Sequence, residues 1–180
     1  MEFIQHQLYG DSIRVEIPKN FIDISKIRDV PDHQEVFVDD LSESSIIFEI
    51  LQQTDLKSDQ IGEYYFKDLA DCNESTSNEV LYSEPLVQYN KEFLTSACFG
   101  IQQVQKRYQE GERNEILYLY VLVIRILMKK TDILISFNSV MKQDQRIVQE
   151  NEIYYSNDTI QDIIKHILET FTIRNWDLFI

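Results

Sequence analysis

The sequence predicts an α/β (α+β) fold: one domain in which a mostly antiparallel sheet is flanked by helices. Three observations predict it. Four strand-like runs, 79–88, 93–108, 116–127 and 133–138, follow one another, with connections short enough for hairpins. The third run is apolar on both parities, with Ile116, Tyr118, Tyr120, Leu122 and Ile124 alternating with Leu117, Leu119, Val121 and Val123. A strand of that composition is covered on both faces, and amphipathic segments before and after the meander are the available covers. The third observation is length: 180 residues suit a single domain, 1–180, that buries roughly two-thirds of its unfolded surface.

In chain order, residues 3–9 and 13–17 are β-prone runs separated by Gly10, Asp11 and Ser12, a hairpin turn. Pro18 stops the second run. Asp23 or Ser25 can cap a single helical turn through Arg28, and Pro31 holds Val30 extended. Residues 34–38 alternate as the next strand. Residues 44–53 place Ile46, Ile47, Ile50 and Leu51 on one helical face, and residues 59–71 do the same with Ile61, Tyr64, Tyr65 and Leu69. Two helices are therefore predicted there. Residues 73–78 read as a loop, and the polar stretch 139–157 as a longer one. Ile160, Ile163, Ile164, Ile167, Leu168 and Phe171 form a stripe at helical spacing, so residues 158–171 are predicted helical, with Asp158 and Gln161 as a capping box. The apolar tail from Trp176 to Ile180 is expected to dock.

The formal net charge of −14 sets the partner class. It opposes nucleic acid, which needs a basic face, and an anionic membrane surface. It favours a soluble monomer that attracts basic protein surfaces. The longest apolar run, 116–127, is too short to span a bilayer and is interrupted by Arg125. Cys72 and Cys98 have no CxxC partner and read as free thiols.

Chemistry-bearing motifs are sparse. His6, His33 and His166 show no ligand spacing, and with four glycines no phosphate cradle can be assembled. Neither a metal, a cofactor nor a catalytic residue is expected. Arg125, a lone cation in an apolar strand, is expected to pair internally with an acid. The stretch 21–37 is distinctive, because Asp23, Arg28, Asp29, Asp32 and Glu35 interleave there with Ile22, Ile24, Ile27, Val30 and Val36 around Pro31. Such a segment is an ordered lip, pinned on one side and polar on the other, or else a plain surface connection. A carboxylate pair on such a lip serves either acid/base chemistry or docking of Lys and Arg; docking is the better match here.

Beyond these patterns, Leu8-Tyr9-Gly10, Ile17-Pro18, Phe21-Ile22-Asp23, Arg28 and above all Val30-Pro31-Asp32-x-Gln34-Glu35-Val36 resemble the Ran guanine nucleotide release factor family, the Mog-type Ran-binding proteins. The likeness continues in order through Ser45-Ile46-Ile47-x-Glu49-Ile50-Leu51, matched to that family's first long helix, and Phe66-x-Asp68-Leu69, matched to the end of its second. Ile124-Arg125-Ile126, the run from Thr131 to Asn138 and Asp177-Leu178-Phe179 complete it. The family commonly has a second glycine after the position of Gly10, where Asp11 stands, and a proline soon after Asn138, where Ser139 and Val140 stand.

The resemblance implies a PsbP-like domain that binds the small GTPase Ran and promotes release of its guanine nucleotide, in support of nuclear protein import. Localisation to nucleus and cytoplasm follows. Its Ran-binding acids carry over onto Asp32 and Glu35, with Arg28, Asp29 and Gln34 as supporting contacts.

Overall fold

A computed structural model describes residues 1–39, 41–56, 60–108, 111–141 and 155–179. The strands are β1 (Phe3–Leu8), β2 (Ile13–Pro18), β3 (Ile22–Asp23), β4 (Gln34–Asp39), β5 (Ser44–Gln52), β6 (Ser77–Ser83), β7 (Val87–Gln88), β8 (Leu94–Tyr108), β9 (Gly111–Ile126), β10 (Thr131–Met141) and β11 (Thr172–Ile173). Two helices, α1 (Ile61–Cys72) and α2 (Asn157–Thr170), accompany them. A small sheet has the order β1-β2-β11. The large sheet runs β3-β4-β5-β10-β9-β8-β6, with β7 also paired to β8. Every pairing is antiparallel.

The double parity of β9 is used as its composition requires. Leu119, Val121 and Val123 meet Ile61, Tyr65 and Phe66 of α1 on one face. Tyr120, Leu122, Ile124 and Ile126 face the main core, where Ile160, Ile163, Ile164 and Ile167 of α2 and Leu8, Ile13, Val15 and Ile17 of the small sheet converge. The large sheet is thus a middle layer. The tail docks as expected, with Phe179 buried.

Three predicted features differ. Residues 44–53 are not a helix: β5 is a central strand between β4 and β10. Ser44, Ile46 and Phe48 are buried on one parity and the alternate residues are half-covered on the other. A strand covered on both faces carries apolar residues at i, i+1, i+4 and i+5, which is also a helical stripe. The β-branched isoleucines favour the strand. The likeness of this segment to a family helix falls with it. The second difference is the cap of α2: Ser156, not Asp158, accepts the Thr159 amide at 3.2 Å. The predicted 139–157 loop is also shortened, since β10 runs through Met141 and α2 starts at Asn157; residues 142–154 lie outside the described residues.

Tight inter-layer contact explains Gly100. A Cβ there would collide with the Glu79 carbonyl oxygen and lie 2.6 Å from Phe66 Cζ, because β6 and α1 both close onto that point of β8.

Candidate functional site: the lip before β4

The lip occupies residues 24–33, between β3 and β4. Asp23 caps its first turn by accepting the Ser25 amide at 2.8 Å, and the Ile27 and Arg28 amides reach the Ile24 carbonyl at 2.9 and 3.1 Å. The single helical turn expected here is therefore formed. A second turn follows Pro31, with the Gln34 amide donating to the Pro31 carbonyl at 2.8 Å. Arg28, Asp29, Asp32 and His33 are exposed, whereas Gln34 and Glu35 are half-buried.

Tyr9 braces this segment. Its backbone N–H donates to Glu35 Oε1 at 2.6 Å. Its hydroxyl lies 3.1 Å from the His33 carbonyl and 3.0 Å from the Phe48 carbonyl. The His33 carbonyl also accepts the Ile50 amide at 2.9 Å. Tyr9 sits in the β1–β2 turn, where Tyr9, Gly10 and Asp11 all have positive φ (49°, 64° and 69°). Asp11 tolerates that region, and both its carboxylate oxygens pair with Arg14, at 2.6 and 2.7 Å. The aspartate standing where a second glycine was anticipated therefore leaves the turn intact. It adds an ion pair.

The two carboxylates of the sequence motif are not equivalent. Asp32 points to solvent from the β-turn. Glu35 is tied to Tyr9, and burial raises its pKa above the usual carboxylate value, with the Tyr9 amide opposing that shift and the Asp23 charge adding to it. Gln34 Nε2 hydrogen-bonds Glu49 Oε1 across the β4–β5 pair. The structure therefore groups Arg28, Asp29 and Asp32 as an exposed polar crest and Gln34 and Glu35 as its braced base. Tyr9, quoted above only as part of Leu8-Tyr9-Gly10, is the residue to which sequence reasoning gave no role.

Arg125 pairs internally as expected. It is 3% exposed and meets Asp132, 0% exposed, through Nε–Oδ1 and Nη2–Oδ2 contacts of 2.7 Å each. Tyr65 donates to Asp132 Oδ2 at 2.8 Å. Two further Arg125 protons reach the Leu56 carbonyl at 3.0 Å and Thr54 Oγ1 at 3.2 Å. Open grooves of about 550 and 370 Å³ lie between α2 and the β6–β8–β9 surface, remote from the lip. Among the described residues no three His, Cys, Asp or Glu side chains gather as a metal site, and no helix is long and apolar enough to cross a membrane.

Comparison with known proteins agrees with this picture. The profile of the family described as Ran-interacting Mog1 protein matches residues 6–140. The chain is 27% identical over 191 residues to the probable Ran guanine nucleotide release factor of Dictyostelium discoideum, covering 99% of this chain and 97% of that one. It is 32% identical over 138 residues to the Ran guanine nucleotide release factor of Bos taurus, covering 73% of each. The crystal structure of the Saccharomyces cerevisiae Ran-binding protein Mog1p matches over 100% of both chains with a TM-score of 0.78 at 22% identity, which shows a common fold. With its profile matched over three-quarters of its length, this chain belongs to the Ran-interacting Mog1 protein family.

Proposed function

We propose that the chain binds the small GTPase Ran through the lip and promotes release of its guanine nucleotide, supporting nuclear protein import, and that it is present in both nucleus and cytoplasm. The observation that carries the reading is an exposed Asp32, flanked by Asp29, on a backbone that Tyr9 and β5 hold in place. The names of the relatives supply the partner. A carboxylate presented on a fixed turn loses little freedom on pairing with a cation, and a net charge of −14 speeds encounter with a basic surface.

Release requires no covalent chemistry, and the protein acts as a monomeric binder rather than an enzyme. A release factor acts by binding the empty or loosened GTPase more tightly than the loaded one, and it shifts that equilibrium only by the difference in affinity. Asp32 pairs with a basic group of Ran near the nucleotide, competing with the phosphates or disturbing the Mg²⁺ that holds them. Glu35 positions the turn and adds its charge beneath the crest. Arg28, Asp29 and Gln34 are supporting contacts.

The test is the rate at which labelled nucleotide leaves loaded Ran. Wild-type chain accelerates it, and Asp32→Ala, at an exposed position, keeps the fold and loses most of the acceleration. Glu35→Gln is preferable to Glu35→Lys, because lysine would force an ammonium against the Tyr9 N–H. Binding with an unchanged or slowed rate would instead identify an interaction module. Absence of binding to GTP-, GDP- and nucleotide-free Ran would refute the proposal.

A further inference from the structure

We infer that the Ran-binding surface extends from the acidic lip to an apolar contact built from Leu127 and Met128 at the β9–β10 hairpin tip, with Leu56 beside it. The inference rests on the reading above.

Backbone hydrogen bonds join the two places. The lip's His33 carbonyl accepts the Ile50 amide of β5 at 2.9 Å, and just beyond the end of β5 the Gln53 amide donates to the Lys130 carbonyl at 2.9 Å. Gln34 pairs with Glu49, and Gln52 with Thr131. The lip and the tip therefore emerge at the same end of the large sheet, two to three strand spacings apart across it, roughly 10–15 Å.

Met128 is 90% exposed, Leu127 54% and Leu56 40%, and on the lip itself Ile27 is 72% exposed. Single exposed apolar residues need no explanation. Here they share one rim with the charged crest, and the backbone that carries them is held firmly. Leu127–Lys129 is a 3₁₀ turn closed by Lys130 in the left-handed region, φ 49°. Thr131 Oγ1 donates to the Lys129 carbonyl at 3.0 Å, and Lys129 Nζ to the Phe179 carbonyl at 3.2 Å. Beneath the tip, the buried Arg125 of β9 is paired with Asp132 of β10 and fixes the Leu56 carbonyl. Exposed apolar side chains on an ordered backbone are what a protein contact uses, since little ordering remains to be lost on binding.

The occupant is Ran rather than a second copy or a lipid surface. A chain of net charge −14 repels itself and anionic membranes alike, and a partner already held at Asp32 reaches the tip at the same end of the sheet without a new encounter. The charged crest sets rate and orientation, and the tip supplies desolvated area that slows departure.

The test compares Leu127→Ser/Met128→Ser with Asp32→Ala for affinity to nucleotide-free Ran, at low and high salt, with thermal unfolding as the fold control. The double variant should unfold like wild type and bind about tenfold more weakly, with the same proportional loss at both salt concentrations. The Asp32→Ala deficit should shrink as salt rises. Met128→Gln provides a second folded variant without a change of charge, which should also bind more weakly at both salt concentrations. Wild-type affinity in both tip variants, alongside weakened Asp32→Ala, overturns the inference and leaves the lip reading standing. Failure of the wild-type chain to bind Ran overturns both.

Discussion

Replacing Arg125 with methionine tests a guanidinium that makes four side-chain hydrogen bonds among the described residues. The substitution keeps the apolar stem and removes the guanidinium. Asp132, fully buried, would then retain, among the described residues, the Tyr65 hydroxyl at 2.8 Å, and the Leu56 carbonyl and Thr54 hydroxyl would each lose a donor. Removing one partner of a buried pair costs about 3–5 kcal/mol, because the other charge is left uncompensated. For a domain of this size that lowers Tm by roughly 6–20 °C. Urea unfolding measures the loss directly. The companion variant Arg125→Met/Asp132→Leu removes both charges and leaves only the three neutral hydrogen-bonding groups short of partners, at about 1 kcal/mol each. It should therefore be no less stable than the single variant, and the double-mutant cycle should be strongly non-additive. A single-variant loss under about 1 kcal/mol, or additive losses, would show that the pair is not desolvated as described.

Three further outcomes follow from particular contacts. Gly100→Ala should destabilise by about 1–3 kcal/mol in urea titration, since the Glu79 backbone and the Phe66 ring occupy the site of the new methyl; an unchanged midpoint would mean that β6 does not pack as described. Tyr9→Phe should lower stability by about 1 kcal/mol and speed hydrogen exchange at the Gln34 and Ile50 amides; unaltered exchange there would remove Tyr9 as the brace. Burial holds the Glu35 pKa above its ordinary 4.5, so the folded chain binds that proton more tightly than the unfolded chain does. Relative to Glu35→Gln, wild-type stability should fall as pH rises from 4.5 through the raised value and level off above it; a rise over that interval would reverse the assignment of cause.

Much of the layered fold is legible because β9 carries two apolar parities, and a strand that must be covered twice dictates a sheet between other elements. The Arg125 partner was within reach as well. Once residues 126 and 131 are taken as the hairpin ends, residue 132 falls opposite 125. The strand β5 was misread because its Ile46, Ile47, Ile50 and Leu51 satisfy two periodicities at once, and only its neighbours β4 and β10 decide between them. At the lip, Pro31 and the interleaved charges mark an ordered turn, but nothing local distinguishes Asp32 from Glu35. That difference depends on Tyr9, 26 residues earlier, whose backbone N–H meets Glu35 only after the two sheets have come together.

The small sheet has its own consequence for how the chain is made. The β2 strand is completed by β11, where Thr172 pairs with Arg14 and Ile173 with Ile13. The Glu16 amide is likewise bonded by Thr170, 154 positions away. On a ribosome, β1, β2 and the lip emerge early, while α2 and β11 are still unmade. Leu8, Ile13, Val15 and Ile17 then wait without that cover until α2 and β11 have followed. Contacts of such sequence separation close slowly, and uncovered strands are aggregation-prone in the interval. Nascent chains should therefore depend on holding chaperones until α2 and β11 are free to pair with β2.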